Sequence, residues 1–279
     1  MPLRPADSVA AAAALLADPA VAVTLGVEKR QAVMVSMATP KRLQIEGSTT
    51  RCYVHSVTED GRIRKFKETW TIEWLRGLPD GAVLYDIGAN IGITTLLAVE
   101  DRSRHVRVVA VEPAPVNFAS LVRNVALNQA SDRIYPLAIG LGARTAVMPL
   151  KLTTLDAGGA MHAFGDILQV DAPGPRPVQG THFCQCVRLD ELVTWPGLPF
   201  PTHVKIDVDG GEWDVLTGGR GVFADPRCVA VQIEVAEPDP SEPRIANVIR
   251  FMAEAGLREV ARIPRLASPR IEDCQFARI

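Results

Sequence analysis

An α/β fold on a parallel sheet is what this chain predicts, and three observations predict it. From Ala82 onward, apolar runs of strand length alternate with helical patterns, as they do where a parallel sheet is covered on both faces. The run Val83-Leu84-Tyr85-Asp86-Ile87 enters the glycine turn Gly88-Ala89-Asn90-Ile91-Gly92 and then a helix. Glu112 stands at the end of the next apolar run. A strand, glycine turn and helix followed by a carboxylate after the second strand suit an adenosine-containing ligand, because the carboxylate accepts from both ribose hydroxyls. The glycines are expected to let the backbone approach that ligand where any Cβ would clash.

In chain order, an alanine-rich helix is expected over Val9 to Leu16, with Asp7 near its N-cap. Short strands follow at Lys41 to Ile45 and Arg51 to Val57, with a turn at Glu59-Asp60-Gly61. A helix over Thr69 to Arg76 is ended by Pro79-Asp80-Gly81. Residues 1–80 hold too few long apolar stretches for a core of their own, so they read as a lead-in or cap. Residues 81–279 read as the cofactor-binding domain. Its strands are predicted at Val83 to Ile87, Val106 to Val111, Ile134 to Ala138, Thr202 to Val208 and Val229 to Val235. The helices between them are predicted at Gly92 to Val99, Asn117 to Asn128, and Glu212 to Thr217 with a continuation to Phe223. A last helix, Arg244 to Ala255, stops at Gly256, a C′ glycine. Leu257 to Ile263 and Gln275 to Ile279 form a closing hairpin. The segment from Thr153 to Thr181, rich in Gly, Pro and Asp, has no period and reads as a long loop.

Composition narrows the function classes. With 279 residues, 47% hydrophobic and 22% charged, the chain is ordinary globular material. A net charge of −2 gives no bulk electrostatic case for nucleic acid or an anionic membrane. The one basic run, Arg62-Ile63-Arg64-Lys65-Phe66-Lys67, reads as a solvated edge strand or turn. The apolar stretch near the start lacks the length and flanks of a spanning helix, so no membrane insertion is expected. Cys52, Cys184, Cys186, Cys228 and Cys274 lack zinc-site spacing and read as free thiols in the cytoplasm. Cys184 and Cys186 alternate as two residues on one strand face do.

The glycine turn also discriminates between cofactors. A dinucleotide fingerprint wants G-x-G-x-x-G, with helix N-terminal amides receiving a pyrophosphate. Here the pattern is D-x-G-x-N-x-G, and Asp86 would repel a pyrophosphate while accepting from an ammonium. S-adenosylmethionine, with an ammonium, a sulfonium and no phosphate, is the expected cofactor. A NAD-type dinucleotide enzyme is the alternative, and a degenerate fold serving as a binding module is another.

Four blocks resemble the FkbM family of S-adenosylmethionine-dependent methyltransferases. Asp86-Ile87-Gly88-Ala89-Asn90-Ile91-Gly92 matches its D-x-G-A-N-x-G. Val111-Glu112-Pro113-Ala114-Pro115, with Asn124 and Asn128 on the following helix, resembles its E-P-x-P segment. Val187-Arg188-Leu189-Asp190-Glu191-Leu192 is similar to T-L-D-x-L, with Arg188 in place of threonine. Val204-Lys205-Ile206-Asp207-Val208-Asp209-Gly210-Gly211-Glu212 is close to K-I-D-V-E-G-x-E, with Asp209 for glutamate. The resemblance spans about Thr69 to Ile279. It implies a Rossmann-like class I methyltransferase fold: a seven-stranded, mostly parallel sheet with a C-terminal reversed hairpin.

Methyl transfer is an in-line displacement, so the site must align the acceptor and take its proton when the acceptor is a hydroxyl. Asp86, Gly88, Ala89, Asn90 and Gly92 are the expected methionine-end residues, Glu112 and Pro113 the ribose-end residues, and Ala138 the adenine edge. Asp207 ends the fourth strand, where open α/β sheets bind ligands. Lys205, Asp207, Asp209 and Glu212 are the catalytic candidates, one of them a general base or a group that positions the acceptor. An ion-pair cluster anchoring the turn would use the same residues, and Glu212 also suits a helix start. Asp207, Asp209 and Glu234 are a carboxylate set of the kind that holds Mg2+, although nothing in their spacing demands a metal. The acceptor is expected to be a hydroxylated small molecule, sugar or lipid-linked glycan, met by Glu68, Trp70, Met161, His162 and Phe164 at the edges of the resemblance.

Overall fold

A computed structural model of the protein describes residues 40–66, 68–166, 177–237, 244–265 and 268–279. The helix expected over Val9 to Leu16 lies outside them. The lead-in begins with a two-stranded ribbon, β1 (Lys41–Arg42) and β2 (Arg51–Cys52), shorter than the strands expected there. Two helices follow, α1 (Val57–Lys65) and α2 (Thr69–Arg76). The α1 helix replaces the turn expected at Glu59-Asp60-Gly61, and it carries the basic run read as an edge strand or turn. Its cause is a capping box: the Ser56 side chain accepts from Glu59 N–H while the Glu59 carboxylate accepts from Ser56 N–H. That satisfies two helix-end amides and outweighs Gly61 in the helix interior.

The core strands are β3 (Val83–Ile87), β4 (Arg107–Val111) and β5 (Ile134–Leu137), with α3 (Ile93–Ala98) and α4 (Pro115–Leu127) between them. A second sheet comes next, with strands β6 (Gly140–Leu141), β7 (Ala146–Leu152) and β8 (Gly180–Val187) in the order β6-β8-β7. The short α5 (Leu189–Leu192) leads to β9 (His203–Ile206). The helix expected to continue to Phe223 is broken at Gly219 into α6 (Glu212–Gly218) and α7 (Arg220–Ala224). Then come β10 (Ala230–Ala236), α8 (Arg244–Glu254), β11 (Arg258–Arg265) and β12 (Ser268–Ala277). Gly256 follows α8 at φ +82°, the left-handed C′ position expected of it.

The main sheet has seven strands in the order β11-β12-β10-β9-β3-β4-β5. Pairing is parallel from β10 through β5, while β12 runs antiparallel between β10 and β11. The seven-stranded, mostly parallel sheet with its reversed terminal pair is therefore present. Strand β12 begins seven residues before the predicted Gln275, because Ile271 to Gln275 pair along β10.

Period-2 alternation divides the core. Val83, Tyr85 and Ile87 face one side with Val204, Ile206, Ile233 and the helices α6 to α8, while Leu84, Val108 and Ala110 face α2, α3 and α4 on the other. Leu43, Cys52, Val54 and Ile63 join that second cluster, so the lead-in shares the core of the sheet. The side chains of Cys184 and Cys186 are buried on β8, two positions apart as expected, and all five cysteines are free.

Candidate active site

At the carboxyl ends of β3, β4 and β9 the chain encloses a cavity of about 770 Å³. The turn after β3 is shaped by backbone more than by ligand clearance. Gly88 has φ +85°, and a Cβ there would sit 1.8 Å from the Asp207 carbonyl oxygen. Gly92 has φ +89°, and its Cβ would meet Leu121 Cδ1 at 2.5 Å. Both glycines thus serve a left-handed turn and the close approach of neighbouring protein. Asn90, also left-handed at φ 51°, donates its N–H to Glu112 Oε2 at 2.8 Å.

Glu112 follows β4 and is buried, its carboxylate also accepting from Ala114 N–H at 2.9 Å. Burial pushes its pKa up to about 7 despite these bonds. Asp86 is placed differently from the expected methionine-end group. Strand alternation turns it toward α3, where it is fully buried and accepts from Thr94 Oγ1 and Thr95 Oγ1 at 2.7 and 2.5 Å. It lies behind the cavity wall, 3.9 Å from Lys205 Nζ on the paired strand β9.

Lys205 is buried and donates to Asp207 Oδ2 at 3.0 Å. Burial alone would lower its pKa, but Asp207 and Asp86 reverse that and hold the ammonium charged. For Asp207, burial raises the pKa, and Lys205 and Arg265 overcome it, so the carboxyl stays ionised. The strand stops at Ile206, and Asp209 sits in a left-handed turn at φ 57° instead of continuing the strand face. Its Oδ2 accepts from Met161 N–H at 2.5 Å, and burial with the nearby Asp207 pushes its pKa up to about 6. Glu212 points back into its own turn, accepting from Gly210 N–H at 2.8 Å, and burial pushes it up to about 7.

Gly88, Ala89, Asn90, Glu112, Pro113, Lys205, Asp207 and Asp209 border the cavity. Among the described residues Asp86, Gly92, Ala138 and Glu212 stand off its wall, and Ala138 is exposed beyond β5. Gly140 to Ala143, on and just after β6, border the cavity instead, which a sequence reading could find only by recognising β6.

Sequence reasoning also missed how the lead-in and the segment after β7 close the cavity. The strap Ala157 to His162 is held from four sides. Ser56 Oγ donates to Ala157 O, Gly158 N–H to Asn117 Oδ1, and Arg62 Nε to Gly158 O. Asn90 Nδ2 and Asn117 Nδ2 both donate to Gly159 O, at 2.7 and 3.1 Å. Glu68, Met161, His162 and Phe164 border the cavity, whereas Trp70 does not.

One set of carboxylates meets at the strand ends: Asp207, Asp209 and Glu234 bring one oxygen each within 4.8 Å of one another, the only such group among the described residues. Two of them already face cations, Asp207 with Lys205 and Glu234 with Arg265 at 2.5 Å. Seven acidic side chains and four cations border the cavity, an excess of acid that favours a cationic ligand. S-adenosylmethionine fits this donor set: carboxylates for its ammonium and sulfonium, and Glu112 where a ribose diol would donate.

The fold and the cavity define a Rossmann-like methyltransferase. The chain belongs to the FkbM family: the model of the methyltransferase FkbM domain matches residues 86–259. It is 27% identical over 233 residues to hexuronic acid methyltransferase AglP of Haloferax volcanii, covering 82% of this chain and 87% of that protein. It is 30% identical over 194 residues to 31-O-demethyl-FK506 methyltransferase FkbM of Streptomyces tacrolimicus, covering 62% and 72%. A crystal structure of methyltransferase FkbM from Methylobacillus flagellatus KT superposes with a TM-score of 0.48 at 13% identity, over 78% of this chain and 52% of that one. This protein is accordingly an S-adenosylmethionine-dependent methyltransferase. Among the described residues no helix is long and apolar enough to cross a membrane.

Proposed function

We propose that the protein O-methylates a hydroxyl of a small molecule, sugar or lipid-linked glycan, with Asp209 as general base. The observation that carries this is the division of labour between Asp207 and Asp209 on one cavity wall: one carboxylate pinned ionised by Lys205, the other raised to about 6. A carboxylate with a pKa just below neutrality is ionised at pH 7 and still basic enough to accept a proton from a hydroxyl as its oxygen attacks. The relatives named for a hexuronic acid and for a 31-O-demethyl substrate support an oxygen-rich acceptor.

S-adenosylmethionine, when bound, supplies a methyl carbon activated by the sulfonium. Gly88, Ala89, Asn90 and Asp207 hold its methionine end, and Glu112 with Pro113 its ribose. Lys205 is a positioning residue, which fixes the Asp207 carboxylate and the end of β9. Asp86 acts through Lys205 and the α3 hydroxyls, and Glu212 through the shape of the Gly210 turn. The strap excludes water from the reacting atoms, and the lead-in anchors it through Ser56 and Arg62. Free, buried thiols fit a cytoplasmic setting. Mg2+ is left out of the mechanism because Lys205 and Arg265 already occupy two of the three carboxylates.

The test uses methyl-labelled S-adenosylmethionine with hydroxylated glycosides and their amino analogues. Label transfer to the hydroxyl series is expected, with kcat/KM falling tenfold per pH unit below about 6 and level above it. Asp209→Asn should reduce kcat by about 10²- to 10⁴-fold while S-adenosylhomocysteine still binds. Methylation confined to amines, or an Asp209→Asn enzyme with full kcat, would overturn the assignment.

A further inference from the structure

Most cations on the cavity walls are engaged. Lys205 lies against Asp207, and Arg265 joins Glu234, Glu68 and Asp273, while Arg144 stands exposed at the rim. Arg62 differs. It projects from α1 to the cavity, and its Nε–H is tied to the Gly158 carbonyl of the strap. Among the described residues its two terminal nitrogens meet no carboxylate. A guanidinium offers five donors and no acceptor, so one bond to a carbonyl leaves a planar fork free for an anion.

The position of this fork picks out one end of the cavity. The Arg62 charge favours the ionised forms of both Asp207 and Asp209, which places it at the β9 strand end and the glycine turn rather than near Gly140. His162 stands beside it, nine-tenths buried, and burial followed by the Arg62 charge lowers its pKa to about 4, so the ring is neutral. Thr153 N–H donates to His162 Nδ1 at 3.3 Å, which assigns the ring proton to Nε2, and Nε2 has no partner. That corner therefore holds donors without partners, the Arg62 terminal nitrogens and His162 Nε2, close to the strand-end carboxylates. A buried donor left unpaired is destabilising, and a ligand oxygen would offset that.

The cofactor brings one anionic group to the cavity, the carboxylate of its methionine portion, a few bonds from its ammonium. We propose that Arg62 binds this carboxylate, so that the zwitterionic end of the cofactor lies between the Arg62 fork and the strand-end carboxylates. This deepens the reading of the site as one for S-adenosylmethionine and assigns the lead-in a direct part in cofactor binding. Because Arg62 also holds Gly158, the residue that engages the carboxylate is one of those that fasten the strap.

The experiment measures binding by titration calorimetry to the full-length chain, comparing S-adenosylhomocysteine with 5′-methylthioadenosine, which lacks the amino-acid portion. Arg62→Gln is expected to weaken S-adenosylhomocysteine about 10- to 100-fold, with 5′-methylthioadenosine changed less than about twofold. Arg62→Lys should recover part of the loss by restoring the charge without the fork. Equal losses for both ligands would mean that Arg62 only supports the strap, and an unchanged affinity for S-adenosylhomocysteine would mean that its fork faces something else. Either result overturns the assignment. Failure of the unmutated protein to bind either ligand would instead remove the cofactor reading of the cavity, and this proposal with it.

Discussion

Replacing Lys205 by methionine removes the cation shared by the buried Asp86 and the half-buried Asp207, and its cost follows from the distances. Asp86 Oδ1 and Asp207 Oδ2 lie 3.9 and 3.0 Å from Lys205 Nζ, and Asp86 Oδ1 has no hydrogen-bond donor of its own. At an effective dielectric constant of about 20 the gross attractions are roughly 4 and 5.5 kcal/mol, before the cost of stripping water from all three groups. Removing one partner from such a buried set leaves uncompensated charge, and a net loss of about 3–5 kcal/mol is expected. For a chain of this length that lowers the unfolding midpoint by roughly 10 °C. Asp86→Asn should recover part of the loss in the double variant. Denaturant unfolding of the single and double variants measures both effects. A Lys205→Met protein less than about 1 kcal/mol weaker, or one whose deficit is unrelieved by Asp86→Asn, would refute the electrostatic account of the β9 end.

Two further outcomes are expected. Glu212 has its folded pKa raised from 4.5 to about 7, so its contribution to stability is fully present below pH 4.5 and declines as pH rises through 7. Glu212→Gln, which keeps an acceptor for Gly210 N–H, should thus be more stable than the wild type at pH 8.5 by about 1–3 kcal/mol, an advantage that fades by pH 5. A flat difference across that range in thermal melts would show that Glu212 is not burdened by burial. Gly88→Ala should lower stability by about 2–4 kcal/mol, because its Cβ must displace the Asp207 carbonyl. S-adenosylhomocysteine affinity should fall with it, and an unaltered affinity in a measurably destabilised protein would disconnect the glycine turn from the cofactor end of β9.

The parts of the fold legible in sequence were those with a period and a stop signal. Thr69–Arg76 and Val83–Ile87 appear with the predicted bounds, because Pro79-Asp80-Gly81 ends one and Gly88 the other. Helix α1 was hidden by Gly61 and by its charged run, although Ser56 with Glu59 three residues later is the capping-box signal for its start. The sequence shows the loop from Thr153 to Thr181 but not strands β7 and β8 on either side of it, since Pro149 and the Gly-rich flanks blur their alternation. The site was legible as a set of residues more than as an arrangement. Strand alternation alone would have turned Asp86 toward α3, on the face shared with Leu84, and only register could pair it with Lys205. Arg62 and Asn117 gained their places through the strap, and contacts across such separations leave no local pattern to read.

The reversed strand β12 has a consequence for how the molecule is made. It is the last of the seven to leave the ribosome, yet it occupies an interior place between β10 and β11. Arg265, which clamps Glu234 and Glu68, is itself held by Asp273 on that strand. A nascent chain can have its glycine turn and Glu112 in position while the acid cluster opposite them still lacks its clamp. Competence for transfer would then arrive in one step, after the other six strands are made, when β12 slides home.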